Sequence, residues 1–224
     1  MTAASPSPPV EPGRVNLWTR PEWAQRYLRE RDDIPHRAEG YGALLENLGP
    51  MPERVLDLGT GDGYLLHLVR AAHPASTGVA CDFSAEMLGR AEERFAGDDA
   101  VTLVEHDLDD PLPESWGAFD TVVSSFAIHH VVDERKRALY GEVLDRLEPG
   151  GVFCNLEHLA SATPELHAEF LAAIGKTPDE DDPSNKLVLV ETQLGWLRDL
   201  GFEQVDCLWK WRELGLLVGT KPRV

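Results

Sequence analysis

A chain of 224 residues in which 39 Asp and Glu face 21 Lys and Arg carries a formal charge of −18, with 42% hydrophobic and 27% charged residues. That length fits one α/β domain with elaborations and excludes two full domains. So negative a surface repels phosphate backbones, which removes nucleic acids and anionic membranes from the expected partners.

In chain order, prolines at positions 6, 8, 9 and 12 make residues 1–14 an expected flexible tail. Residues 15–50 read as an N-terminal helical cap, broken around Pro21 and Pro35 and carrying Trp18, Trp23, Tyr27 and Tyr41. From residue 51 to 224 the pattern is that of one further domain. Strands are predicted at Val55–Leu58, Gly78–Asp82, Val101–His106, Thr121–Ser124 and Gly151–Leu156. Helices are predicted at Tyr64–Ala72, at Ala85–Phe95 behind the cap Ser84, and at Val132–Leu147. In the last of these Leu139, Val143 and Leu147 share one face, which leaves Arg135, Lys136 and Glu142 for solvent. Strand–helix alternation of this kind implies an α/β fold, a parallel sheet with helices on both faces.

After Leu156 the alternation stops. A helix over 161–176, an acidic loop Asp179-Glu-Asp-Asp-Pro183 read as solvated surface, and a helix over Val190–Leu200 ending at Gly201 come next. Two final strands, Phe202–Leu208 and Leu214–Thr220, are joined tightly at Arg212–Glu213. Alternation puts Cys207, Trp209 and Trp211 on one strand face. Residues 159–186 are an insertion expected to shape the substrate site. The three cysteines, Cys81, Cys154 and Cys207, have neither C-x-x-C spacing nor an even count, so no disulfide framework or metal site is expected. With no run of about 18 apolar residues and no apolar targeting core, a cytoplasmic location is expected.

The stretch Val55-Leu-Asp-Leu-Gly-Thr-Gly-Asp-Gly-Tyr64 runs a buried strand through Gly59, Gly61 and Gly63 straight into a helix. Such glycines let backbone approach a ligand that a Cβ would exclude. Tyr64 stands where the dinucleotide fingerprint needs glycine, and Asp57 and Asp62 beside the turn disfavour a pyrophosphate. A ligand with an adenosine and a cationic tail fits better. Asp82, 19 residues beyond Gly63, ends the second strand where a carboxylate accepts ribose hydroxyls. Asp107 ends the third, where an acid accepts from an adenine amine while the Leu108 N–H donates to the ring.

The Val55–Tyr64 loop, Asp82, His106-Asp107-Leu108, and Leu147-Glu-Pro-Gly-Gly151 leading into the fifth strand resemble the class I S-adenosylmethionine (SAM)-dependent methyltransferases. The resemblance spans about residues 54–158. It implies a Rossmann-like, seven-stranded, mostly parallel sheet with one antiparallel strand. It also implies SAM as cofactor: the Gly59–Gly63 loop with Thr60 beside the methionine part, Asp57 toward its amino group, Asp82 and Phe83 at the ribose, Asp107 and Leu108 at the adenine, and Ser124 nearby. Ile34-Pro-His-Arg37, Phe126-Ala-Ile-His-His130 and the Gly201–Pro222 ending are more distantly similar to the carboxy-SAM synthase-like branch. Without a match for that branch's carboxylate-binding arginine, its activity is not adopted.

Methyl transfer from a sulfonium expels a neutral thioether, so orientation and desolvation lower most of the barrier and a base is needed only for a protonated acceptor. His129 and His130, beyond the fourth strand, and His158, at the end of the fifth, are the candidate bases; each has an alternative reading as an ordinary packed histidine. The expected function is methyl transfer to N or O of a small-molecule acceptor by a monomer or homodimer. The alternatives are a SAM-using enzyme without methyl transfer, through carboxy-SAM formation or SAM cyclisation, and a non-catalytic SAM-binding partner subunit.

Overall fold

Residues 34–223 are described by the computed structural model, so the expected tail over 1–14 and the cap segment 15–33, with Trp18, Trp23 and Tyr27, lie outside the described residues. Seven strands form one sheet: β1 (Arg54–Leu58), β2 (Thr77–Asp82), β3 (Val101–Glu105), β4 (Phe119–Ser125), β5 (Leu147–His158), β6 (Glu203–Trp211) and β7 (Leu214–Thr220). Their order is β3-β2-β1-β4-β5-β7-β6, with β7 antiparallel to both neighbours and the other pairings parallel. Six α-helices lie among the described residues: α1 (Arg37–Glu46), α2 (Tyr64–Ala72), α3 (Ala85–Arg94), α4 (Asp133–Arg146), α5 (Pro164–Ala173) and α6 (Val190–Leu200). No helix among them is long and apolar enough to cross a membrane.

Period-two strands divide the core between the two faces of the sheet. Leu56, Val122, Phe153 and Leu217 pack with Leu139, Tyr140 and Val143 of α4 and Leu197 of α6. Val55, Val123, Cys154 and Leu216 pack with Tyr41 and Leu44 of α1 and Leu66 and Val69 of α2. Ser84 caps α3 by accepting from the Met87 N–H, and left-handed Gly201 ends α6.

Three expectations need correction. Lys136 is fully buried: it stands three and four residues before Leu139 and Tyr140, on the same stripe, and its ammonium donates to the Lys186 carbonyl at 2.7 Å. Arg135 and Glu142 are not left to solvent either; they pair at 2.5 Å and clamp the chain after β3, Arg135 on the Leu108 and Asp110 carbonyls and Glu142 on the Leu112 N–H. Finally, Cys207 does not share a face with Trp209 and Trp211. Cys207 pairs with Leu217 and Trp209 with Leu216, so Leu208 is an extra residue that reverses the alternation. Cys207 therefore joins the α4/α6 side and Trp209 the α1 side. β5 also begins earlier than predicted, at Leu147, with regular pairing to β4 resuming at Val152 after an irregular Glu148–Gly151.

Candidate functional site

The strand order reverses direction between β1 and β4, and at such switch points open α/β sheets leave a crevice outside the carboxyl ends of their strands. Here the chain leaving β1 to β4 encloses a cavity of ≈ 880 Å³, including its open mouth. Gly59, Thr60, Gly61, Asp82, Phe83, Asp107 and Leu108 line it, and so does His130. Asp57, Gly63, Ser124, His129 and His158 are not in its wall.

The β1 loop owes its shape to two glycines with different needs. Gly59 has φ +66°, and a Cβ there would sit 2.2 Å from the Cβ of Ala127, so the β4 exit and the β1 loop touch through backbone. Gly61 has φ +57°, yet a Cβ there would meet nothing within 4 Å. Its N–H donates to Asp82 Oδ2 at 2.9 Å, and Ser84 N donates to Asp82 Oδ1 at 2.9 Å, so the acid at the end of β2 is held between two loops. Burial raises the Asp82 pKa, against those two N–H groups. Asp107 Oδ1 accepts from Asp109 N at 3.0 Å, and the Leu108 carbonyl is taken by Arg135, which fixes the peptide at the end of β3.

Asp57 lies beneath the loop, 1% exposed, with the Thr60 hydroxyl donating to its Oδ2 at 2.6 Å. Its Oδ1 has no hydrogen-bond partner among the described residues. Burial pushes its pKa up to about 7 despite the Thr60 bond. A buried, half-satisfied carboxyl of this kind gains from a positive charge nearby, and the open face of Gly61 and the acids ending β2 and β3 suit a hydroxyl-rich nucleoside. These residues therefore fit the cationic, adenosine-bearing cofactor that the resemblance implies. Gly63 serves packing, since a Cβ there would lie 2.5 Å from the Phe95 ring, and the Ser124 hydroxyl bridges β4 to β1 through the Leu58 carbonyl at 2.8 Å.

Tyr41, Phe126, His130 and Val131 also line the cavity. Phe126 has φ 52°, a left-handed conformation rare for an aromatic residue, and Arg37 of α1 stacks 4.3 Å over its ring while donating to the Tyr41 hydroxyl. Tyr64 and Met87 also line the cavity and are not among the cofactor residues expected from the sequence; both sit in the first turn of the helix following a strand, the position that faces such a crevice.

The three histidines touch one another, His129 lying between His130 and His158, but have different hydrogen-bond partners. His129 is buried, its Nδ1 2.7 Å from Glu157 Oε1, and burial holds its pKa well below the usual histidine range. Glu157, 0% exposed and raised by burial, also accepts from His158 N and from Asn155, which in turn contacts the Tyr140 hydroxyl. His158 bonds Glu213 at 2.9 Å, on the turn between β6 and β7. His130 stacks on His129 at 4.0 Å and reaches Ser184 through Nδ1 at 3.1 Å, with burial keeping its pKa low. Among the described residues no group of three or more His, Cys, Asp or Glu is arranged to hold a metal ion.

Known proteins resemble this chain in sequence and fold. A methyltransferase-domain family model matches residues 55–151. The chain is 32% identical over 182 residues to a demethylmenaquinone methyltransferase of Clavibacter sepedonicus, covering 69% of this chain and 67% of that protein. It is 33% identical over 147 residues to the demethylmenaquinone methyltransferase of Thermus thermophilus, covering 58% and 62%. The chain thus spans between three fifths and two thirds of the length of these relatives. Human N-acetylserotonin methyltransferase, solved with SAM, shares the fold at a TM-score of 0.68 and 18% identity, over 96% of this chain and 60% of that one.

Proposed function

The chain belongs to the class I SAM-dependent methyltransferases, and from that premise we propose that it methylates a nitrogen or oxygen of a small-molecule acceptor, with His130 taking the acceptor's proton. The observation that carries this reading is the placement of His130 in the wall of the same cavity as Asp82 and Asp107. SAM, when bound, supplies an electrophilic methyl on a sulfonium. The chain's own residues then have three tasks. Asp82 accepts from the ribose hydroxyls, Asp107 and the Leu108 N–H read the adenine, and Gly61 leaves room for the ligand beside a loop whose buried Asp57 favours positive charge. Phe126 and Tyr41 exclude water from the acceptor. His130, in which burial favours the neutral imidazole, is the proton acceptor of this reading.

A small acceptor is supported by the acidic surface and by the two relatives named for demethylmenaquinone. The test is incubation with methyl-labelled SAM and a metabolite extract, which is expected to give S-adenosylhomocysteine and one labelled small molecule. Methylthioadenosine or a carboxylated sulfonium as the only product would overturn the reading. In calorimetry Asp82→Ala weakens SAM binding by about 100-fold, the loss of two hydrogen bonds to a charged group. An unchanged affinity removes the ribose assignment. His130→Gln lowers kcat by about 100-fold or more, with SAM affinity retained.

A further inference from the structure

The acidic run of the insertion divides into two parts. Asp179 and Glu180 are exposed, whereas Asp182 turns inward and its Oδ1 accepts from both the backbone N–H and the hydroxyl of Ser184, at 2.8 and 2.7 Å. Ser184 is only 5% exposed, and its Oγ lies 3.1 Å from His130 Nδ1. The loop is strapped in place from the other side. Lys186 N donates to the His129 carbonyl at 2.8 Å, the Lys186 ammonium donates to the His130 carbonyl at 2.9 Å, and buried Lys136 donates to the Lys186 carbonyl.

Proton counting decides the direction of this chain. A serine hydroxyl has one hydrogen, and a carboxylate has none to give. Since that hydrogen goes to Asp182, the Ser184 oxygen offers His130 only a lone pair, so Nδ1 must be the donor. A neutral imidazole with its hydrogen on Nδ1 carries its lone pair on Nε2. We propose that Asp182 and Ser184 are positioning residues which fix His130 in the Nδ1–H tautomer and so leave the ring's lone pair on Nε2, an atom buried in the structure. The consequence for turnover rests on the reading of His130 as base; the tautomer itself does not. Other charged or titratable groups around His130 are His129 on its own turn, Glu157 on β5, Lys136 on α4 and Lys186 in the loop; Glu157 and Asp182 favour a protonated ring, His129 opposes it, and the two lysines oppose it on the adjoining His129.

The test is two-bond proton–nitrogen NMR of the histidine rings in the full chain, at about neutral pH, with His130→Gln used to assign its signals. Wild type is expected to show the protonated nitrogen at Nδ1. Ser184→Ala and Asp182→Ala release that preference, the second because the freed hydroxyl can rotate and donate to Nδ1, and shift the tautomer ratio by roughly 3- to 10-fold, the worth of one neutral hydrogen bond. Asp182→Asn retains it, because one amide oxygen can take both bonds from Ser184. With labelled SAM, kcat falls by a similar factor in the two alanine variants and recovers in Asp182→Asn, while KM for SAM stays constant. A wild-type signal at Nε2–H, or a ratio unmoved in Ser184→Ala with the chain still folded, overturns the proposal. Full turnover in His130→Gln with the Nδ1–H signal intact in wild type overturns only the assignment of His130 as base.

Discussion

The groups that line the cavity are held in place by different means. The acids after β2 and β3 are held by backbone: Gly61 N and Ser84 N hold Asp82, and Asp109 N holds Asp107. His130 is instead a side chain held by another side chain far away in sequence, that of Ser184. A shape made by local backbone tolerates little change in residue type but needs few partners. A shape made by side-chain networks can be retuned by substitution, which suits the part of an enzyme that sets acceptor choice.

The contrast can be sharpened first at Asp57. Its folded pKa of about 7 lies above the ordinary 3.8, so the folded chain holds a proton that the unfolded chain has released, and stability falls as pH rises between those values. Asp57→Asn removes this slope. Thermal unfolding at about pH 8 is expected to show the variant more stable by up to about 4 kcal/mol, with little difference near pH 4. Calorimetry on the same pair shows SAM binding tightening as pH rises through about 7 in wild type, a trend absent in the variant. A variant no more stable at high pH would mean that Asp57 is not held as a buried carboxyl.

Next come the two glycines. Gly59→Ala combines a left-handed alanine with a clash against Ala127 and is expected to cost about 2–5 kcal/mol in denaturant titration. Gly61→Ala has only the conformational cost, about 1–2 kcal/mol, but its Cβ enters the open face of the loop, so SAM affinity falls by more than stability does. Equal stability losses would break the division between packing and ligand approach.

The smallest effect is at His167 of α5, which lies 2.9 Å from Glu213 and 3.3 Å from Asp181. Partial burial opposes its charge, but the Glu213 bond and charge, with Asp181, outweigh it and raise its pKa above the usual value. The stabilisation is therefore complete below the ordinary histidine range and is lost as pH rises through the raised pKa. With His167 about one third exposed, solvent screening limits this to about 1 kcal/mol or less. A melting temperature that declines above neutrality in wild type, and stays level in His167→Gln, is the expected result.

Legibility in the sequence follows the same division. The loop after β1 and the acids at the ends of β2 and β3 could be read because a strand, a turn and a helix start leave a local signature. Residues 64–72 and 190–200 match the predicted helices residue for residue. Lys136 was misplaced by weighing its charge above its position, although its spacing to Leu139, Tyr140 and Val143 marks the buried stripe. The reversal at Leu208 had no signature, because a bulge is defined by which partner residues pair with it.

By itself, then, the sequence determined an alternating α/β chain, a glycine loop between the first strand and its helix and a row of acids at successive strand ends, since backbone preference and side-chain period are properties of neighbours. Only the tertiary structure decided which histidine faces the cavity and what holds it. Asp182 reads as solvated surface because its partner Ser184, two residues away, is itself held by His130, 54 residues from that serine. No local period spans such a distance, and packing alone brings the two together.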